Sequence, residues 1–279
     1  MKTNSFAFQG VNGAYSEQAG KNVFPDAKSL PCSTFEEMFA CVRDDKADIA
    51  LVPIENSQAG RVADTQRLIP DSDLNIIGEY FLEVRHNLLA VPGTNINDIK
   101  RVHSHEQGIA QCRKKIIKLN KQMVIAADTA GSAKKISELN NKEDAAIASS
   151  LAAEIYNLDV LEANFQDAEH NVTRFLIMSK DKSDIEPSQS NIITTLVFVV
   201  RSIPASLYKC LGGFASNGVN ITKLESYIHP QGFDVAQFYI DFEGHPVNNS
   251  VKLALEEMKF FCKEIKILGV YKKSNFRKK

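Results

Sequence analysis

Through the first 180 residues, short apolar runs alternate with segments of helical period, and this alternation restricts the possible folds more than any other feature of the chain. The order opens with apolar "SFAFQG" (5–10), helical "YSEQAGKNVF" (15–24), helical "TFEEMFACV" (34–42) and apolar "ADIALVPIE" (47–55). In the second helix Phe35, Met38, Phe39 and Val42 recur at helical spacing, behind Ser33 and Glu36 at the spacing of a capping box. The pattern continues with strand "RVHSH" (101–105) and a helix over 106–119 carrying Ile109, Cys112, Ile116 and Leu119 on one side. Strand "MVIAAD", helix "AGSAKKISEL", strand "DAAIAS" and helix "SLAAEIYNL" follow. Strands alternating with helices predict βαβ units, an α/β class with a mostly parallel sheet, and ligands at the carboxyl ends of the strands.

The pattern changes after "KDKSDIEPSQSN" (180–191), a polar stretch of mixed charge with one proline and one large apolar residue, which reads as a linker. Beyond it come strand "IITTLVFVV", a helix starting at "PASLYKCLGGFASNG", strand "VNITKLESYI", turn "HPQG", strand "FDVAQFYIDFEG", helix "VKLALEEMKFFC" and strand "EIKILGVY". This βαββαβ order is the ferredoxin-like pattern. The expected division is a first domain over 1–180, a linker over 181–191 and a second domain over 192–271. So small a sheet leaves a face or edge open, so pairing with a second copy is expected.

A net charge of −1 leaves no electrostatic footprint for nucleic acid, and the basic tail "YKKSNFRKK" (271–279) reads as a frayed, solvated end. The amino terminus lacks the apolar stretch of a signal peptide, and no run of about 18 apolar residues occurs, so a cytoplasmic protein without membrane spans is expected. Five cysteines at 32, 41, 112, 210 and 262 form no Cys-x-x-Cys pair and read as reduced core residues. His103 and His105 share one face of a strand without a third ligand at metal spacing, so no metal is expected.

Polar clusters fall where strands give way to helices. "FQGVNGAYS" (8–16) brings Gly10 and Gly13 to a helix start suited to an anion. "PIENSQAG" (53–60) places Glu55, Asn56 and Ser57 after an apolar strand, with a helix N-cap as the plainer reading. "HSHEQGIAQC" (103–112) offers Ser104, Gln107 and Gln111, and "ADTAGS" (127–132) offers Asp128 or Thr129, again as a cap. "HNVTRF" (170–175) reads either as a strand start with an edge threonine and a snorkelling arginine, or as a hydroxyl and a guanidinium gathered for a small anion. Their shared location favours a ligand cleft.

Taken in order, "FQGVNGAYSEQA", "PIENSQAGRV", "VHSHEQGIAQCRK", "AADTAGSA", "AAIAS" and "HNVTRF" resemble the prephenate dehydratase family, and "LYKCLGGFASNGVNITKLES" resembles its ACT regulatory domain. The resemblance implies a bilobed catalytic domain like a periplasmic binding protein, a ferredoxin-like ACT domain, and cofactor-free conversion of prephenate to phenylpyruvate on the route to phenylalanine. It implies that Thr173 is the catalytic residue, placed against the leaving hydroxyl. Glu55, Asn56, Ser57, Ser104, Gln111, Thr129, Arg174 and Phe175 would bind substrate, Arg174 as a carboxylate clamp and Glu55, or a held water, as proton source. L-phenylalanine is the implied effector, bound by Ala205, Ser206, Leu207, Asn220, Glu225 and Ser226, in a homodimer or homotetramer assembled through both domains. Glu106 replaces the family's usual proline, "PASL" (204–207) replaces a Gly-Ala-Leu stretch, and Tyr227 and Ile228 replace an Arg-Pro pair. Arogenate, with an ammonium where prephenate has a ketone, is the alternative substrate. A noncatalytic amino-acid sensor on the same fold is the rival of another class.

Overall fold

The computed structural model describes residues 3–229 and 232–278, so Pro230 and Gln231 of the expected "HPQG" turn lie outside the described residues. Its compact units are Met1–Gln66 with Tyr80–Phe175, and Arg67–Glu79 with Leu176–Lys279.

The first unit holds two sheets. In the first lobe β1 (Ser5–Gln9) lies between β2 (Lys28–Cys32) and β3 (Ile49–Asn56), both parallel to it. Helices α1 (Tyr15–Val23) and α2 (Phe35–Arg43) connect them. Strand β2 is absent from the apolar pattern because its sequence "KSLPC" is short and carries Pro31, which the outermost strand tolerates. The α2 cap lies one residue later than its spacing suggests: Thr34 accepts from the Glu37 N–H at 3.1 Å while Glu37 accepts from the Ser33 N–H at 2.6 Å. After the two-residue β4 (Gly60–Arg61) and α3 (Ala63–Leu68), the long strand β5 (Asn75–Glu83) crosses from one unit's residues to the other's.

The second lobe is a five-stranded sheet built from β6 (Asn87–Ala90), β7 (Arg101–His105), β8 (Gln122–Ala126), β9 (Asp144–Ala148) and β10 (Asp159–Glu162), in the order β10-β6-β9-β7-β8. Its central strands are buried on both faces, and the two-residue period sorts their side chains. Leu88, Ala145 and Ile147 pack with Ile109, Cys112 and Ile116, while Leu89, Ala146 and Ala148 pack with Ala133, Ile136 and Ala152. The helix expected over 106–119 is two, α4 (Glu106–Gln111) and α5 (Arg113–Lys118), because Cys112 leaves helical geometry at φ −117°, ψ 9°. Cys112 stays buried, so the apolar spacing survives the break. Helices α6 (Thr129–Leu139) and α7 (Ser150–Tyr156) complete the lobe, and β11 (Val172–Ser179) returns to β3 in the first sheet.

No helix or strand lies between Ser179 and Ile192. Then β12 (Ile192–Val200), α8 (Ser206–Ser216), β13 (Ile221–His229), β14 (Gly232–Glu243), α9 (Asn249–Lys259) and β15 (Cys262–Lys272) follow in βαββαβ order, with antiparallel sheet order β13-β14-β12-β15. One sheet face packs Leu196, Phe198, Ile240 and Phe242 on Phe214, Ala254 and Met258 of the helices. On β15, Gly269 pairs with Ile76, so close that a Cβ there would stand 2.1 Å from the Ile76 carbonyl oxygen.

The tail is not a frayed end. Arg277 Nε and Nη2 donate to Glu79 Oε1 and Oε2 at 2.7 and 2.9 Å, and Nη2 lies 3.4 Å from Asp241 Oδ2. Both carboxylates have 0% side-chain exposure. Asp241 also accepts from Thr195 Oγ1 at 2.6 Å, and the Ser274 N–H donates to Glu79 Oε1 at 3.0 Å. Removing one member of a buried ion pair strands the other charge, which costs about 3–5 kcal/mol. Arg277→Ala therefore loses roughly that much stability, measured as a lower urea midpoint at pH 7; a midpoint equal to wild type would show the carboxylates balanced by other groups.

Candidate active site

The polarity of the site starts at Asn56, the last residue of β3. Its Oδ1 accepts the Gln58 and Ala59 N–H groups at 2.9 and 2.8 Å, an Asx turn that fixes which end of the amide is which. Nδ2 then donates to Asn171 Oδ1 at 2.7 Å and to Thr173 Oγ1 at 2.9 Å. With its oxygen used as acceptor, Asn171 donates through Nδ2 to Gln111 Oε1 at 2.8 Å, and His86 Nε2 reaches the same oxygen at 2.7 Å. An acceptor oxygen there requires the proton on Nε2, so His86 Nδ1 accepts from Tyr15 Oη at 2.7 Å. Burial lowers the His86 pKa and raises that of Tyr15 well above its ordinary value, so the ring is neutral and the phenol keeps its proton near pH 7.

This chain borders a cavity of about 250 Å³ in the first unit, lined among others by Ser16, Asn56, His86, His105, Gln111, Asp128, Thr129, Thr173 and Phe175. Strand geometry decides which of the expected residues reach it. Along β11, Thr173 and Phe175 point one way, so Arg174 must point the other. Arg174 is 2% exposed, donates through Nη1 to Glu55 Oε1 at 3.1 Å and lies 6.0 Å from the centre of the Phe81 ring. Neither Arg174 nor Glu55 is among the described lining residues.

Two serines also serve structure. Ser57 accepts from the Val172 N–H through Oγ at 3.0 Å and donates its own N–H to Val172 O at 2.9 Å, joining β3 to β11. Ser104 is fully buried and donates to Ile147 O at 2.8 Å. A Cβ on Gly108 would meet Ser104 Oγ at 2.6 Å, so α4 approaches β7 closely only because that position lacks a side chain. The α4 cap is His105, whose Nδ1 accepts the Gln107 N–H at 3.3 Å, and Glu106 takes the first helical position, where proline is also favoured, so the turn is kept. His103 is bound to Asp144, at 2.9 Å.

Asn171 was within reach of sequence reading, inside the same short stretch as Thr173. Tyr15 lies inside the "FQGVNGAYS" cluster without having been singled out, and its pairing with His86 carried no local signal, since 71 positions separate two groups that meet only in the fold.

In the second unit Ala205 precedes α8 at φ 58°, ψ 29°, left-handed rather than helical, which explains a glycine preference at this position. Leu207 packs on the core, Asn220 Nδ2 donates to Glu243 Oε2 at 3.1 Å, and Glu225 is bonded to Lys223 at 2.9 Å. Ser206 opens α8 and Ser226 is exposed on β13.

The sequence profile of prephenate dehydratase matches residues 6–183. The chain belongs to the prephenate dehydratase family. It is 45% identical over 273 residues to a bifunctional N-acyl-homoserine lactone acylase/prephenate dehydratase of Komagataeibacter europaeus, covering 98% of this chain and 97% of that protein. Arogenate dehydratase/prephenate dehydratase 2, chloroplastic, of Arabidopsis thaliana is 38% identical over 276 residues, or 95% of this chain and 72% of that one. The crystal structure of prephenate dehydratase from Arthrobacter aurescens in complex with L-Phe is 32% identical, with TM-score 0.87 over 96% of this chain and 90% of that one. As a member of that family, this protein is a hydro-lyase of aromatic amino-acid biosynthesis with a periplasmic-binding-protein-like α/β fold. Among its described residues no helix is long and apolar enough to cross a membrane.

The buried His86 gives the dehydratase a pH signature. Its folded pKa lies below the ordinary 6.5, so between the two values the unfolded chain binds more protons and stability falls as pH falls. In His86→Gln this contribution vanishes, so the stability gap between wild type and variant narrows from pH 7.5 to pH 5 in urea titrations. Parallel profiles would contradict a neutral buried ring.

Proposed function

We propose that the cleft carries out decarboxylating dehydration of a cyclohexadienyl substrate, prephenate to phenylpyruvate, with Thr173 as the catalytic residue. The bond from the ring to its carboxylate breaks and releases carbon dioxide. Its electron pair enters the ring as the new aromatic double bond, and the ring hydroxyl departs with the electrons of its C–O bond. Arogenate undergoes the same bond changes and yields phenylalanine.

One observation supports Thr173 above all: Asn56 Nδ2 occupies a lone pair of Thr173 Oγ1 at 2.9 Å, which leaves the hydroxyl hydrogen to be donated into the cleft. There it meets the departing hydroxide, and the bond strengthens as negative charge develops. Threonine is too weak an acid to lose its proton, and Glu55 is held by Arg174 on the other side of the strand, so the group leaves as hydroxide, hydrogen-bonded to Thr173, and is neutralised in solvent by buffer acid or by the carbon dioxide released with it. The Gln111 amide, whose oxygen is used by His86 and Asn171, has its Nε2 hydrogens for the substrate. The N-terminus of α1, where Ala14 supplies no side-chain cap and Ser16 lines the cavity, receives a carboxylate in place of the expected Arg174 clamp. Phe175 lines the cavity and packs against the ring, excluding water where carbon dioxide leaves.

The second unit is assigned as an ACT domain that binds L-phenylalanine near the start of α8, in line with its βαββαβ order and with the relative solved in complex with L-Phe. The domain boundary near residue 180 is revised in one respect. A chain cut there keeps residues 67–79 but loses the partners of Ile76 and Glu79, so it would expose a strand and a buried carboxylate.

Thr173→Ala lowers kcat by about 10² to 10³ with little change in KM, the usual loss on removing one transition-state donor. Thr173→Ser recovers most of it. An ultraviolet assay for phenylpyruvate decides the matter, and a Thr173→Ala enzyme within a few-fold of wild type would exclude the assignment. The same assay with phenylalanine up to millimolar levels shows inhibition if the second unit binds it as proposed; calorimetry without heat and assays without inhibition would make that unit an assembly domain.

A further inference from the structure

The sequence leaves open whether the substrate carries a ketone or an ammonium on its side chain, and the lining of the cleft bears on that choice. Among the described lining residues there is neither lysine nor arginine, and Asp128 is the one carboxylate. Of the two lining histidines, the buried His86 accepts through Nδ1 from Tyr15 and carries no charge in that arrangement, and His105 Nδ1 faces the Gln107 N–H rather than the cavity's aspartate. Prephenate would bring two carboxylates and a ketone to this lining. Arogenate would bring the same two carboxylates with an ammonium between them and the wall.

Asp128 is held for such a role. It precedes α6, and its Oδ1 accepts the Gly131 N–H at 2.5 Å, which orients the carboxylate at the helix start. An ionised carboxylate has about four acceptor positions, so one bond to backbone leaves capacity for an ammonium. Asp128 and Thr173 border the same cavity from different lobes, Asp128 beside the five-stranded sheet and Thr173 on β11 of the other. A substrate whose ring hydroxyl faces Thr173 can therefore extend its side chain toward Asp128.

We propose that Asp128 is a specificity-determining residue that receives the ammonium of arogenate and disfavours the dianionic keto substrate, so that the enzyme turns over the amino form with the higher kcat/KM. The inference rests on the dehydratase reading above and selects the substrate within it. A fixed negative charge beside the side chain acts on the difference between the two substrates, since only one of them offers a positive partner.

The test compares kcat/KM for arogenate, followed as phenylalanine formed, with kcat/KM for prephenate, followed as phenylpyruvate. Asp128→Asn keeps the size of the side chain and its capping oxygen and removes the charge; Asp128→Ser is a second capping residue should the first variant misfold. The expected result is an arogenate-to-prephenate ratio above one in the wild type that falls at least tenfold in either variant, with arogenate KM rising. A wild-type ratio below one, an unchanged ratio, or parallel loss on both substrates would overturn the proposal, the last pointing to capping alone. A wild-type enzyme that turns over neither substrate would instead bring down the dehydratase reading on which the proposal rests.

Discussion

Asn56 can satisfy its amide in only one orientation, and the chemistry of the cleft follows from that restriction. Two backbone N–H groups claim Oδ1, so Nδ2 must supply Asn171 and Thr173. Each later member of the chain inherits its polarity from the one before: Asn171 donates to Gln111, Gln111 accepts from His86, and His86 accepts from Tyr15. A buried polar chain is stabilising only when every member is matched, and here the matching also selects which atoms face the cavity. The hydroxyl hydrogen of Thr173 and the amide hydrogens of Gln111 are what remain.

The same economy governs charge. A guanidinium at the fifth position of "HNVTRF" suggests a clamp for an anion, yet the strand turns it into the protein, where Glu55 and Phe81 receive it. Arg174 therefore ties β11 to β3 through Glu55. Neutral donors and a helix start remain among the described lining residues, with a single aspartate.

In the second unit two local features depart from ordinary expectation, and both have structural causes. Ala205 adopts a left-handed conformation that an alanine enters at a cost of roughly 1–2 kcal/mol. The basic tail, instead of dissolving into solvent, sends Arg277 onto Glu79 and Asp241. Through Glu79 and Ile76 the short segment 67–79 is part of the second unit although it precedes most of the first in sequence.

Much of the architecture was legible in the sequence, because hydrophobic period and turn residues are local properties. The alternation of strands and helices, the polar linker and the βαββαβ order all emerge from windows of ten to twenty residues. The polar stretches at strand ends and starts also marked Thr173, Asn56, Gln111, Thr129 and Phe175 as candidates, and all five border the cavity. What the sequence could not carry was direction. Whether Arg174 faces the cleft or the core depends on the register of β11 against β3, and a strand's two faces look alike until a partner is placed. Tyr15 and His86 meet across 71 positions, Glu79 and Arg277 across 198, and no local signal announces either pair. The sequence by itself determined which segments become strands and helices and which polar groups stand at their ends; only the tertiary structure decided which of those groups face one another, because that depends on contacts between segments far apart in the chain.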